Sequence, residues 1–252
     1  MSISLLSLQV KPRGTGEGPQ RDWGDEPCQD RGMNPAGPGQ KNFRTMENRA
    51  IATCRHCGAK KELTTVPLVN AGADSELKAA VKDGSLFVWE CPQCGSRNLA
   101  TFPLLYHDPS KKLMIWLLPE GDPGEKKLDA VASQLSGLEG YTLRRVSDPG
   151  ALIEKVNIFD SGLDDVAMEL CKQVTLMEMD RKPDGAIRFF RLEGADNEIM
   201  LSFPSGGNMM TMNIGFNVYE DCLGILRRNP AIIPGKGFAR VDADWIRAFI
   251  AL

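Results

Sequence analysis

Apolar residues recur along the first half of the chain with the short period of strands. The segments 62–69 and 86–90 are rich in β-branched and aromatic residues, which favours two strands. Two further apolar runs, 99–107 and 112–118, flank the turn Asp108-Pro109-Ser110-Lys111. Proline at the second position of a turn presets φ, so these two runs are predicted to form a hairpin.

Helical spacing appears once in the first half and repeatedly in the second. Asp74 begins the first predicted helix and Gly84 ends it. Asp148-Pro149 is typical of a helix start, because proline fits the first helical position. The second half is predicted to contain helices near 128–138, 149–156, 163–177, 218–226 and 242–250, a strand at 141–146, and a meander of strands at 187–193, 199–203 and 210–216.

These elements predict an α+β fold in two parts. The part at 46–118 is interpreted as a zinc-ribbon-like β module with a helical insertion, and the part at 127–252 as an α+β domain with an antiparallel meander. Residues 119–126 hold two prolines and two glycines and are predicted to be a linker. Residues 1–45 include twelve Gly or Pro and are predicted to be a disordered tail; Met46 is interpreted as an alternative start.

Composition limits the classes of function. The 252 residues are 42% hydrophobic and 25% charged, which is ordinary for a soluble protein, and no apolar run reaches the ~18 residues of a membrane span. We therefore expect a cytoplasmic protein without a membrane partner. Residues 46–120 carry nine Lys or Arg against eight Asp or Glu, so this module lacks the basic excess usual for nucleic-acid binding.

The most specific pattern is a repeated C-x-x-C-G motif. Cys54 and Cys57 form the first pair, and Cys91 and Cys94 form the second after a gap of 33 residues. Each motif places two thiolates on one side of a turn, and the following glycine can adopt positive φ, which lets backbone N–H groups face the sulfurs. The pattern predicts one tetrahedral zinc ion held by four cysteines, with no open ligand position and hence a structural role. A redox dithiol is the alternative, although one C-x-x-C pair usually suffices for that chemistry.

A second, weaker candidate is acidic. Asp160, Asp164 and Asp165 lie together at a predicted helix start. These carboxylates could form a cation-binding or acid–base site. Alternatively, they could simply cap the helix N-terminus, which is the simpler interpretation.

The residues around the cysteines resemble the bacterial CpXC protein family. The segments that carry the resemblance are Cys54–Cys57, Ser75–Lys78, Gly84–Phe87, Cys91–Cys94, Phe102–Asp108, Lys112–Pro119, Tyr141–Arg144, Leu152–Lys155 and Gly162–Asp165. The resemblance implies the four-cysteine metal site and brings no catalytic residue with it.

We therefore predict a non-enzymatic binding or adaptor protein whose zinc is structural and whose partner is a protein. Exposure of Phe87, Trp89 or Trp116 would support such a partner. One alternative is a nucleic-acid-binding ribbon that uses a basic patch of Arg55, Lys60, Lys61 and Arg97. The other is an enzyme with a carboxylate site at Asp160, Asp164 and Asp165 in the second domain.

Overall fold

A computed structural model describes residues 11–12, 48–128, 138–179 and 182–250. Its strands are β1 (Lys11–Pro12), β2 (Asn48–Thr53), β3 (Lys60–Thr65), β4 (Leu68–Asn70), β5 (Val88–Glu90), β6 (Arg97–Leu99), β7 (Leu104–Asp108), β8 (Leu113–Leu117), β9 (Thr142–Val146), β10 (Arg188–Glu193), β11 (Glu198–Ser205) and β12 (Asn208–Ile214). Its helices are α1 (Ser75–Lys82), α2 (Pro149–Asp160), α3 (Asp165–Glu178), α4 (Phe216–Arg228) and α5 (Ala243–Arg247). This mixture of helices and mainly antiparallel strands confirms the predicted α+β class.

Two small antiparallel hairpins carry the cysteines. Strands β2 and β3 pair in the first hairpin, and β5 and β6 pair in the second. Each C-x-x-C motif forms the turn at the tip of its hairpin, directly after β2 or β5. The segment between them contains β4 and α1, which is the predicted helical insertion.

A mixed sheet lies behind these hairpins, in the order β4-β7-β8-β9. Strands β7 and β8 form the predicted antiparallel hairpin, and a short 3-10 helix, Pro109–Lys111, closes it. Alternate residues of both strands are buried, as the period-two pattern requires. Tyr106 and Ile115 are fully buried in one core with Val69 from β4 and Leu152 from α2.

This sheet continues past the predicted linker. Strand β9 pairs in parallel with β8, and α2 adds Leu152 and Val156 to the same core. Parallel strands need a crossover, and the chain makes it through 118–141, which includes the 3-10 helix Pro123–Lys127. The helix predicted near 128–138 lies almost entirely outside the described residues, and the division into two domains stays a prediction.

The predicted meander is confirmed in the second half. Strands β10, β11 and β12 are consecutive antiparallel neighbours, and β1 pairs with the outer edge of β12. The rest of the predicted tail at 1–45 lies outside the described residues. Helices α3, α4 and α5 cover one face of the meander and bury a second core that includes Cys171 and Cys222.

The aromatic residues whose exposure would support a protein partner are not exposed. Phe87 is 1% exposed and packs against Phe102, with ring centroids 5.5 Å apart. Trp89 is 7% exposed, and Trp116 is half-buried against Phe238. These three side chains therefore give no support to a protein partner. Among the described residues, no helix combines the length and hydropathy needed to cross a membrane.

Candidate metal centre

The two cysteine turns have the same backbone geometry. In the first, the N–H of Cys54 donates to the carbonyl of Ala59 at 2.8 Å, and the N–H of Gly58 donates to the carbonyl of Cys54 at 2.9 Å. The second turn repeats both bonds, at 3.0 and 2.9 Å, with each residue 37 positions later in the chain. Gly58 and Gly95 adopt φ values of 73° and 68°, which disfavour any residue with a Cβ. The positive φ predicted for these glycines is confirmed.

The four sulfurs converge between the two turns. The Sγ atoms of Cys54, Cys57, Cys91 and Cys94 all lie within 4.8 Å of one another. Two pairs of sulfurs from different turns are close: the Sγ atoms of Cys54 and Cys94 are 3.6 Å apart, as are those of Cys57 and Cys91. Sulfurs about 2.3 Å from one tetrahedral ion are about 3.8 Å from each other, so this donor set fits a single metal ion. A disulfide would need a sulfur separation near 2.05 Å.

The thiols differ in burial and in acidity. Cys54 and Cys91 are 2% and 1% exposed, whereas Cys57 is exposed. The backbone N–H of Cys57 lowers the pKa of Cys54, and the hydroxyl and N–H of Ser96 lower the pKa of Cys94 to about 5. The pKa of Cys57 is raised to about 12. A hydrogen bond from the N–H of Ala59 lowers this pKa, but the neighbouring thiol of Cys94 and desolvation raise it by more. Hydrogen bonds therefore favour the thiolate form of Cys54 and Cys94, which is the form that binds a metal.

Asn98 is a residue of this centre that the sequence reasoning missed. Its side chain is buried, and its amide donates to the Sγ of Cys54 at 3.5 Å and to the carbonyl of Ser96 at 2.8 Å. Its amide oxygen accepts from the N–H of Arg55 at 3.0 Å. Asn98 therefore connects the two turns directly. The only sequence signal was a polar residue at a position that the alternation of β6 places inside.

Asn98→Ala is expected to weaken metal binding without unfolding the metal-bound protein. The substitution removes the hydrogen bonds to Cys54 and Arg55, and losses of this kind typically cost about 10–100-fold in metal affinity. Competition with a chromogenic chelator measures the change. Arg97→Ala, at the exposed neighbour in β6, is the matched control and should keep its affinity. Equal affinities for both variants would show that Asn98 has no part in the centre.

The gap of 33 residues between the pairs is absorbed by the core. Cys54 and Cys91 belong to the same buried cluster as Val69, Val81 and Phe87, all from the intervening segment. The insertion thus packs against the first cysteine of each turn and does not separate the two turns.

The three candidate aspartates are not brought together in one cavity. Asp160 pairs with Lys78 at 3.0 Å and with Lys82 at 2.7 Å. Asp164 caps α3, since its carboxylate accepts from the N–H of Ala167 at 2.8 Å. This is the simpler of the two interpretations given for the acidic residues. None of the three lines the pocket of about 360 Å³ described below.

Asp165 is the most constrained of these carboxylates. It is 1% exposed and accepts two bonds from the guanidinium of Arg144, at 2.8 and 2.9 Å, and one from Lys155 at 2.9 Å. Burial raises its pKa, but the charge of Lys155 and the bonds from Arg144 outweigh it and hold the pKa at about 2. Its geometry is that of a buried structural ion pair.

Acid is expected to remove the stabilisation that Asp165 provides. Its folded-state pKa lies below the unfolded value, so the stabilisation is present above about pH 4 and is lost as the pH falls toward 2. We expect the free energy of unfolding to drop by on the order of 2 kcal/mol more in the wild type than in Asp165→Asn over this interval. Urea unfolding at several pH values measures the difference, and parallel pH profiles would contradict it.

The fold and these contacts define an α+β protein with a four-cysteine cluster compatible with a metal ion. Residues 52–172 match the model of the CpXC protein family, which confirms the resemblance drawn from the sequence. The matched region runs from the end of β2 into α3 and so spans both cysteine hairpins and the mixed sheet. No curated protein and no solved structure matches the chain.

Proposed function

We propose that the four cysteines bind one zinc ion and that this zinc is structural. The observation that carries the proposal is the convergence of four thiols from two identical turns, within 4.8 Å of one another. Thiolates favour zinc among the common divalent ions, and four of them leave no position for a substrate or a water. The zinc would join the two hairpins and hold them in one arrangement relative to each other.

Elemental analysis of the purified full chain tests the identity of the metal. We expect about one zinc per chain. Refolding with zinc, cobalt or iron separates the site's own metal preference from the supply of metals during expression. Binding of cobalt can be followed directly, because a tetrahedral cobalt–thiolate site has its own visible spectrum. A chain that contains iron in place of zinc, or takes up no metal when reduced, would contradict the proposal.

We infer further that the protein is a non-enzymatic binding or adaptor protein that acts on a protein partner in the cytoplasm. Each cysteine hairpin presents one large apolar side chain to solvent: Ile51 in β2 is 74% exposed, and Leu99 in β6 is 58% exposed. Exposed aliphatic residues on a metal-clamped scaffold suit protein recognition. The reduced cysteines suit a cytoplasmic setting.

Glutamate at Ile51 or Leu99 is expected to abolish partner binding while leaving zinc content and stability unchanged. A buried charge in an apolar interface is costly, so retention of the partner should fall by at least about tenfold. Affinity capture from the native host followed by quantitative mass spectrometry compares the variants. Ile233→Glu is the matched control, since Ile233 is 64% exposed but lies outside the hairpins. Equal loss in all three variants, or in none, would remove the hairpins as the recognition surface.

The same preparation tests the nucleic-acid alternative. Arg55, Lys60 and Arg97 are exposed near the cysteine turns, whereas Lys61 is half-buried with its amine near the carbonyl of Glu90. The module as a whole is close to neutral. Binding of short DNA or RNA that weakens steeply with salt would favour this alternative over a protein partner.

A further inference from the structure

A pocket of about 360 Å³ lies on the opposite side of α2 from the cysteine-bearing module. The end of β9, α2, α3, the start of β10 and the start of α5 surround it. It thus sits where the mixed sheet and the meander meet. A pocket of this size can hold a small metabolite.

Four buried ionic side chains form one wall of this pocket. Lys172 donates to Glu154 at 2.7 Å and to Glu169 at 2.9 Å, and Lys155 donates to Glu169 at 3.3 Å. Their exposures range from 2% to 5%. Glu154 also accepts from the backbone N–H of Phe189 at 2.8 Å. These bonds fix the wall in place before any ligand arrives.

Two polar atoms of the same wall have no partner among the described residues. They are the second carboxylate oxygen of Glu169 and the side-chain nitrogen of Gln173, and the two residues are 2% and 5% exposed. The spacing i, i+4 places both side chains on one face of α3. Buried polar groups of native proteins are almost always hydrogen-bonded, so an acceptor and a donor left open beside each other in a pocket indicate a ligand with both kinds of group.

The charges around the pocket are nearly balanced. Six of the lining residues are Lys or Arg and five are Asp or Glu. A site built for free phosphate would have a surplus of positive charge, and a site built for a bare metal ion would have a surplus of negative charge. This pocket has neither surplus. The guanidinium of Arg145 pairs with Glu125 at 3.0 Å through a terminal nitrogen, but its Nε–H is buried without a partner among the described residues.

We propose that this pocket binds a small zwitterion, an amino acid or a short peptide. The ligand's ammonium group donates to the open oxygen of Glu169, and its carboxylate accepts from Gln173 and Arg145. Ala151, Leu176 and Ile187 line the same space and provide an apolar surface for an aliphatic body. This site is separate from the cysteine centre and does not depend on the identity of its metal or partner.

Three matched dipeptide probes test the proposal by calorimetry with the full chain. Alanyl-alanine carries both charges, its C-terminal amide keeps only the ammonium group, and its N-acetyl form keeps only the carboxylate. We expect one alanyl-alanine or one of the twenty free amino acids to bind per chain. Loss of either charge should weaken binding by about 10–100-fold, as expected for a buried charge-assisted hydrogen bond.

Gln173→Met is the key variant because it keeps the volume of the side chain and leaves the four-residue ionic wall intact. It should reduce affinity for the zwitterion by about tenfold or more with little change in melting temperature. Glu169→Gln should reduce it as well, and its melting temperature shows whether the wall has survived. The proposal is overturned if none of the zwitterions binds below ~10 mM, if all three dipeptide forms bind equally, or if Gln173→Met binds like the wild type.

Discussion

Replacing Cys91 with serine is expected to abolish metal binding and to unfold the cysteine-bearing half of the protein. Cys91 is one of the four clustered cysteines proposed to bind the metal and is also buried in the core with Val69 and Phe87. The free energy of zinc binding in such sites is folding free energy, on the order of 10 kcal/mol, which exceeds the net stability of many domains. Zinc per chain and circular dichroism of the reduced protein measure the two losses.

A matched control separates loss of a ligand from loss of a buried thiol. Cys171 is fully buried in the meander core and lies outside the metal cluster, so Cys171→Ala should keep its zinc. Chelation of the wild-type protein should reproduce the effect of Cys91→Ser, and added zinc should reverse it. A reduced, metal-free wild type that stays folded would refute a structural metal and would direct attention to redox chemistry of the two pairs.

Replacing Lys172 with methionine is expected to destabilise the protein by about 3–5 kcal/mol. The substitution keeps most of the side-chain volume but leaves Glu154 and Glu169 buried with less compensation for their charges. Lys172 is 5% exposed, and the charges of the two glutamates outweigh the effect of burial and raise the pKa of its amine. Urea unfolding monitored by fluorescence gives the change in the free energy of unfolding.

Arg49→Met provides the comparison for this loss. Arg49 pairs with Glu62 at 3.4 Å, but both side chains are more than half exposed, so removing this pair should cost under about 1 kcal/mol. Triple replacement of Lys172, Glu154 and Glu169 by apolar residues of similar size should recover much of the stability, since the cost arises from unpaired charge. A Lys172→Met variant as stable as Arg49→Met would show that the buried network contributes nothing.

The two cysteine turns were predictable because their signal is local. Each C-x-x-C-G motif specifies its own turn, and the positive φ values of Gly58 and Gly95 follow from that chemistry. The β7–β8 hairpin and the meander were predictable for the same reason, because strand period and turn residues lie within a few positions of each other. The boundaries moved by a few residues, as at β5, which is preceded by the 3-10 helix Ser85–Phe87.

The features that sequence reasoning missed depend on long-range pairing. The parallel pairing of β9 with β8 joins residues that are about thirty positions apart, and no local pattern specifies it. The ionic wall has the same origin: Glu154 and Lys155 on α2 meet Glu169 and Lys172 on α3 only after the helices pack. A charged residue on a helix predicts exposure, and here the tertiary structure overrides that preference. A local run of acidic residues marks Asp160, Asp164 and Asp165, whereas no local pattern marks the buried charges beside them.

The order of the four cysteines along the chain has a mechanical consequence. Cys54 is the first of them and Cys94 the last, so a metal ion bound by all four would link the chain directly from Cys54 to Cys94. Tension applied to the two ends of the chain would then pass through metal–sulfur bonds at this point. The inserted segment with β4 and α1 would carry no load, and it would stay folded under a pull that extends the meander.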